Sequence, residues 1–203
     1  MCVRFDTPQM TLWDKEYDLE YLAQAYPNYL VPMIRIKGGR RVPSLANFGL
    51  IPYWAKDKSF GKHTYNARTE TVHEKPSYRT PWRKRQFCLI PMQRFYEPNY
   101  ESGKAVQWAI QRKDKALFTV AGIWDSWTDP SSGEMLESFS MLTINADGHP
   151  IMGRFHKAGD EKRSLVIIND DHQEEWLQAA KDSKPLDFCE PMSVEEFETE
   201  KAI

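Results

Sequence analysis

Apolar positions in this chain recur mostly at a spacing of two, in short runs separated by turn residues. Leu30 to Ile36 reads as a strand, with Lys37-Gly38-Gly39-Arg40 as the hairpin turn behind it. Ala46 to Trp54 is apolar but interrupted at Pro52, so a strand passes into a loop. Phe87 to Pro91 is a strand that leads into Arg94-Phe95-Tyr96-Glu97. After the turn at Ser102-Gly103, Ala105 to Gln111 alternates, and Ala116 to Asp125 is strongly apolar. Asp129-Pro130-Ser131-Ser132-Gly133 is a turn, Glu137 to Asn145 a further strand and Ser164 to Ile168 another. Helical spacing occurs over 12–26, where Pro27 stops it. It recurs over Asp171 to Lys181 and Ser193 to Lys201, each with a polar N-cap candidate. Strands that follow one another through turns predict an α+β fold, a mainly antiparallel β-sheet or barrel-like core with peripheral helices. No linker, repeat or low-complexity segment divides the chain, so a single domain over residues 1–203 is expected.

Charge adds a second pattern. The net charge is only −2, yet Lys and Arg outnumber Asp and Glu by 16 to 9 over residues 1–100, and the ratio reverses to 11 against 20 over 101–203. Residues 35–94 hold 14 basic side chains and three acidic ones, Asp57, Glu70 and Glu74. Trp54, Tyr65, Tyr78, Trp82 and Phe95 are interleaved with these cations. Cations neutralise phosphates and aromatic faces stack on exposed bases, so the tract suits single-stranded nucleic acid. It equally suits a solvated basic face whose aromatics serve the core. No apolar run approaches the ~18–20 residues that cross a bilayer, and no secretory pattern opens the chain, so no membrane partner and a cytoplasmic location are expected. Three widely spaced cysteines, Cys2, Cys88 and Cys189, suggest no disulfide framework, and Cys88 in Phe87-Cys88-Leu89-Ile90 reads as an inert buried thiol.

Candidate chemistry concentrates at position 2. Removal of Met1 would turn Cys2 into a 1,2-aminothiol. An α-amine titrates near ~7.7–8.0 and a thiol near ~8.5, so both are partly nucleophilic at neutral pH. Such a pair captures an aldehyde: the amine forms an imine and the sulfur closes a five-membered thiazolidine. The bland reading is a small residue on a frayed terminus. Metal and nucleotide sites have little support. His-Glu-x-x-His spacing is absent, Gly38-Gly39 fits no phosphate loop, and His149 and His156 lack a third ligand of suitable spacing. No metal and no cofactor are expected.

An ordered set of short motifs then narrows the choice. The chain opens Met1-Cys2-Val3-Arg4-Phe5 and continues with Gly49-Leu50-Ile51-Pro52-Tyr53-Trp54, then Asn66-Ala67-Arg68-Thr69-Glu70-Thr71. Cys88-Leu89-Ile90-Pro91, Arg94-Phe95-Tyr96-Glu97, and His156 ahead of Asp160-Glu161-Lys162-Arg163-Ser164-Leu165-Val166-Ile167 follow. In order and spacing this set resembles the SOS-response-associated peptidase (SRAP) family, whose domain shields abasic sites in single-stranded DNA. The resemblance spans position 2 to about 168.

The resemblance implies a catalytic set of Cys2, Asn66, Glu97 and His156. Cys2 would be the nucleophile through amine and thiol, and Asn66 would hold the terminal amine or sugar oxygens. Glu97 would move protons during imine formation, and His156 would protonate the sugar ring oxygen to open it to the aldehyde. Thr143 matches a strand position near the site. For DNA, the resemblance implies contacts from Arg4, Trp54, Arg68 and Arg163, and the cluster Arg79, Trp82, Arg83 and Arg85 supplies further basic and aromatic groups. The implied activity is a DNA–protein crosslinking enzyme with lyase-like chemistry at abasic sites and an accompanying autopeptidase or hydrolase activity. It would act as a monomer and be nucleoid-associated when bound to DNA. The rivals are a cysteine-dependent peptidase and a noncovalent single-strand binder. The sequence departs from the family pattern at four places. Val3 replaces a Gly, Pro98 replaces a Trp, Asn28-Tyr29-Leu30-Val31-Pro32 replaces an Asn-x-Ala-Pro segment, and Lys157 to Lys162 separate His156 from Arg163.

Overall fold

The computed structural model describes residues 2–9, 17, 19–179 and 184–202. Its strands are β1 (Phe5–Asp6), β2 (Gln24–Ala25), β3 (Leu30–Lys37), β4 (Arg40–Phe48), β5 (Asn66–Arg68), β6 (Phe87–Met92), β7 (Arg94–Asn99), β8 (Val106–Arg112), β9 (Phe118–Thr128), β10 (Met135–Asn145), β11 (Arg163–Leu165), β12 (Ile167–Ile168) and β13 (Phe197–Lys201). Two short helices, α1 (Arg79–Arg83) and α2 (Gln173–Leu177), lie between them. The fold is therefore α+β, with a mainly antiparallel sheet core.

β10, β4, β3, β6 and β9 pair in that order, and β9 pairs back onto β10, which closes a five-stranded barrel. β5 and β11 add to β10, and β12 adds to β9. A second sheet runs β13-β8-β7-β1-β2, antiparallel throughout. The β3–β4 hairpin turns at Gly38 and Gly39, whose φ angles of 59° and 76° are open to glycine at no steric cost.

Every residue of β6 is buried, and its alternation divides it between two cores. Cys88, Ile90 and Met92 join a cluster with Cys2, Phe5, Phe48, Phe95, Phe118, Phe139, Phe155 and Phe197. Phe87 and Leu89 join Leu50, Trp82, Ile123, Leu142 and Trp176. Trp176 holds α2 to the sheet by stacking on Phe87 at 4.6 Å and donating its indole N–H to the Cys88 carbonyl at 3.0 Å. Burial of this order, at about 25 cal/mol per Å² of apolar surface, is what drives the sheets together.

Three expectations change. Ser193 to Lys201 is not a helix: Phe197 to Lys201 form a strand paired with β8, from Phe197↔Arg112 to Lys201↔Trp108. The open edge of β8 and the buried seat of Phe197 against Phe118 outweigh the local helix preference of the glutamates. Of the expected helix over 12–26, positions 12–16 and 18 lie outside the described residues, while residues 19–26 are not helical and Gln24–Ala25 instead pair with β1. The third helix is α2 over Gln173–Leu177, preceded by a 3-10 turn at Asp170–His172, while positions 180–183 lie outside the described residues. Among the described residues no helix is long and apolar enough to cross a membrane.

Candidate active site

Four segments bring Cys2, Asn66, Glu97 and His156 together. β1 pairs with β7 as Phe5↔Phe95 and Asp6↔Arg94, and the Tyr96 amide donates to the Arg4 carbonyl at 3.0 Å. This antiparallel register runs the chain ahead of Phe5 alongside Tyr96 and Glu97. Cys2 is thereby carried into the first core cluster and is 1% exposed.

Asn66 arrives from the other side. Gly49, at φ 118°, approaches Gly61 so closely that an added Cβ would sit 2.1 Å from the Gly61 carbonyl oxygen. Only glycine permits that crossing. Thr64 then donates its hydroxyl to the Leu50 carbonyl at 2.6 Å, and β5 starts beside β10 with Met141↔Asn66. The Asn66 side-chain amide donates to the Cys2 carbonyl at 2.9 Å, and Tyr78 donates to the Asn66 backbone carbonyl at 3.0 Å. The Asn66 carboxamide oxygen is buried and accepts no hydrogen bond among the described residues.

His156 follows a 3-10 turn over Met152–Arg154. Phe155 bridges to Asn99, and the His156 amide donates to the Pro98 carbonyl at 3.0 Å. His156 Nε2 then stands 3.0 Å from Glu97 Oε2, with side-chain exposures of 11% and 3%. Burial, reinforced by the Glu97 charge, pushes the Cys2 thiol well above the usual range, although Sγ donates to the Arg4 carbonyl at 3.3 Å. Burial also raises the Tyr65 phenol, with Cys2 and Glu97 adding to the shift. The arrangement combines an imidazole–carboxylate pair at hydrogen-bond distance, a thiol whose burial favours the protonated form, and an amide that orients the Cys2 backbone.

The DNA-contact candidates divide by environment. Trp54 is 44% exposed, meets Phe60 edge to face at 5.0 Å, and shares a groove with Lys56 and His63. Arg79 and Arg83 are exposed on α1. Arg4 lies with its guanidinium carbon 4.0 Å above the Tyr96 ring, and Arg68 is half-exposed and paired with Glu161 at 2.6 Å. Trp82 and Arg163 differ, because both are interior. Trp82 meets the Phe87 ring at 5.2 Å in the second core cluster. Arg163, 3% exposed, is held by Glu70, Glu161 and the backbone carbonyl and hydroxyl of Thr143. The sequence does not distinguish these two from their exposed neighbours, since charge and aromaticity say nothing of burial.

Tyr65 and Tyr78, which the sequence offers only among the aromatics of the basic tract, adjoin Cys2 and Asn66, and Lys162, which it does not mark, adjoins His156. The nearness of the first two to Asn66 in sequence was the available signal. Both ring nitrogens of His149 have protein partners: its Nε2 lies 2.8 Å from the Met192 carbonyl and its Nδ1 accepts from the Ile151 and Met152 amides. Among the described residues no group of three or more His, Cys, Asp or Glu is placed to hold a metal ion.

Residues 3–202 match the family described as SOS response associated peptidase (SRAP). The abasic site processing protein YoaM of Bacillus subtilis (strain 168) is 33% identical over 163 residues, 80% of this chain and 67% of that protein. The abasic site processing protein YoqW of the same organism is 34% identical over 131 residues, 64% of this chain and 54% of that one. The abasic site processing protein HMCES of Xenopus tropicalis is 27% identical over 157 residues, 68% of this chain and 45% of that one. The chain thus spans about half to two thirds of the length of these relatives. A crystal structure of a Bordetella bronchiseptica protein matches all of both chains with a TM-score of 0.89 at 32% identity. One from Bacteroides thetaiotaomicron, covering 98% of this chain and 90% of that one, has a TM-score of 0.80 at 22% identity, a likeness of fold.

Proposed function

Because the chain belongs to the SOS response associated peptidase (SRAP) family, with relatives named abasic site processing proteins, we propose that it captures abasic sites in single-stranded DNA covalently through Cys2. The observation that carries this reading is the burial of Cys2 beside the Glu97–His156 pair, with its carbonyl held by Asn66.

Hydrolysis of the Met1–Cys2 bond frees the α-amine. In the abasic sugar, the C1′ hydroxyl gives up its proton as the bond from C1′ to the ring oxygen breaks, and His156 returns a proton to that oxygen, leaving an aldehyde. The amine adds to C1′, and the carbinolamine loses one water to become an imine. The thiol then adds: sulfur bonds to C1′, and its proton passes to nitrogen, with Glu97 as the carrier. The net change of the capture, after the water consumed in freeing the amine, is one water released. A thiol held protonated by burial leaves the first attack to the amine and supplies the proton for ring closure. The carboxamide oxygen of Asn66 is an acceptor for the freed amine or a sugar hydroxyl. Recognition through Arg4, Arg68, Arg79, Arg83 and the Trp54 groove would be driven by backbone and shape, since the lesion has no base to read.

The experiment is a denaturing gel of purified protein with abasic single-stranded DNA. Wild type is expected to give a heat-stable adduct and Cys2→Ala none, with noncovalent binding retained. An alanine variant that crosslinks as well as wild type overturns the mechanism. Equal affinity for intact and abasic strands with no adduct would make the protein a noncovalent binder. Self-removal of Met1 by the same Cys2, Glu97 and His156 is a second reading, favoured by the grouping of Glu97 and His156 at Cys2. Protein made without methionine aminopeptidase and retaining Met1 would exclude it.

A further inference from the structure

His156 has a φ of 64°, in the left-handed region that penalises a residue with a Cβ. Such a residue has to be held by its surroundings. Part of the hold comes from β7, through the Pro98 carbonyl and the Asn99–Phe155 bridge. The rest comes from the segment that separates His156 from Arg163.

Within it, the Lys162 ammonium donates to the carbonyls of Phe155 at 2.8 Å, His156 at 3.2 Å and Lys157 at 2.9 Å. An ammonium has three protons, and three successive carbonyls take them. Lys162 is itself anchored elsewhere. Its amide donates to Asp147 Oδ1 at 2.9 Å, and its carbonyl accepts from the Ala146 amide at 2.8 Å. The clamp is therefore fixed to the turn that ends β10 and reaches across to the loop that carries His156.

We propose that Lys162 is a positioning residue that sets His156 against Glu97 by gathering the carbonyls of residues 155–157 into one turn. The proposal rests on the reading of Glu97 and His156 as the proton-carrying pair. No bond forms or breaks at Lys162. Without the ammonium, three carbonyl dipoles converge with no donor between them, so the turn opens and the imidazole loses its 3.0 Å approach to Glu97. The charged group placed against the imidazole is Glu97 from β7, with the Cys2 thiol from the segment ahead of β1 within the field of that carboxylate, while the Lys162 ammonium holds the His156 backbone carbonyl.

The test uses Lys162→Met, which keeps the stem length, and Lys162→Gln, which is neutral but retains two donors. Adduct formation at saturating abasic oligonucleotide is followed from pH 5 to 9, and the His156 imidazole is titrated by NMR. Both variants are expected to slow adduct formation about tenfold or more, with affinity for an intact strand within about twofold of wild type. The pH–rate profile and the His156 titration midpoint should move together, more in the Met variant than in the Gln variant. If the Met variant does not fold, the Gln variant decides by the same two readouts. A wild-type profile together with a wild-type His156 titration overturns the proposal. Failure of wild type to form any adduct would sink the crosslinking reading instead, and the His156 titration would still decide this one.

Discussion

The Asn66 side chain donates to the Cys2 carbonyl at 2.9 Å, joining two residues 64 positions apart and tying the start of the chain to the strand beside β10. The bond is buried, so its loss is not repaid by water. Asn66→Ala is expected to destabilise the fold by about 1–3 kcal/mol, the cost of an unsatisfied buried carbonyl, and to slow adduct formation more than tenfold. Thermal melting and a gel time course measure the two effects separately. Tyr78→Phe provides the graded control. Burial pushes its phenol up to about 12, so it remains a donor to the Asn66 carbonyl at neutral pH, and its removal should cost about 1 kcal/mol. A Tyr78→Phe variant as slow as Asn66→Ala would mean that the backbone of β5, rather than the carboxamide, sets the rate.

Acid should weaken the far end of the site. Burial raises the Glu70 carboxyl, but the hydrogen bonds and charge of Arg163, with the backbone amides of Glu70 and Asn145, outweigh it and bring it from 4.5 to about 2. Between these values the unfolded chain binds more protons than the folded one, so stability rises with pH. The contribution is complete above roughly pH 5 and is lost as pH falls from about 4.5 to 2. Glu70 is 44% exposed, so after solvent screening the effect is roughly 1 kcal/mol. Urea midpoints at pH 6 and pH 3 should differ less in Glu70→Gln than in wild type.

Glu161 occupies the Arg68 guanidinium that a phosphate would need. The pair is 2.6 Å apart, with side chains 50% and 34% exposed. An exposed pair is worth about 0–1 kcal/mol, so Glu161→Gln should tighten binding to single-stranded DNA by up to about fivefold. It should also steepen the salt dependence by about 0.7 in the log–log slope, one further released counterion. Fluorescence anisotropy at several salt concentrations tests both. An unchanged slope would show that Arg68 makes no phosphate contact.

The two tryptophans of the basic tract should separate in their effects. Trp54→Ala is expected to lose about 1–3 kcal/mol of strand affinity with little change in melting temperature, because the ring is exposed beside Phe60. Trp82→Ala removes a ring packed on Phe87 and should cost about 3–5 kcal/mol of stability. Melting curves and binding isotherms for both variants distinguish the roles. Equal losses of affinity in two equally stable variants would contradict the assignment.

Strands with strong alternation and clear turns were legible in the sequence. β3, β6, β9 and β10 lie close to where their periodicity puts them, because each buries a regular row of side chains. β5 and β13 were not, for opposite reasons. β5 has three residues and exists through its pairing with β10, which no local pattern encodes. β13 carries glutamates of good helix propensity, but tertiary pairing with β8 decides its conformation. At the candidate site, the identities of Cys2, Asn66, Glu97 and His156 were legible from motif order. The bonds that orient them were not: the Lys162 clamp depends on the fold of a loop whose residues read only as a charge run. Arg163 shows the same limit, since an arginine hydrogen-bonded in the interior and one in open solvent are the same letter.

β10 carries more than its share of this architecture. It pairs with β4, β5, β9 and β11, and through the last three of these it registers Met141 with Asn66, Gly122 with Met141 and Asn145 with Arg163. A strand stitched on both flanks along its length cannot slide, so the candidate site and its electrostatic rim keep a fixed spacing, like marks on one ruler. On the proposed function, a damaged strand docking here would have to accept that spacing: bending and unstacking would fall to the nucleic acid, with the protein as a rigid gauge for the distance between a bare sugar and its flanking phosphates.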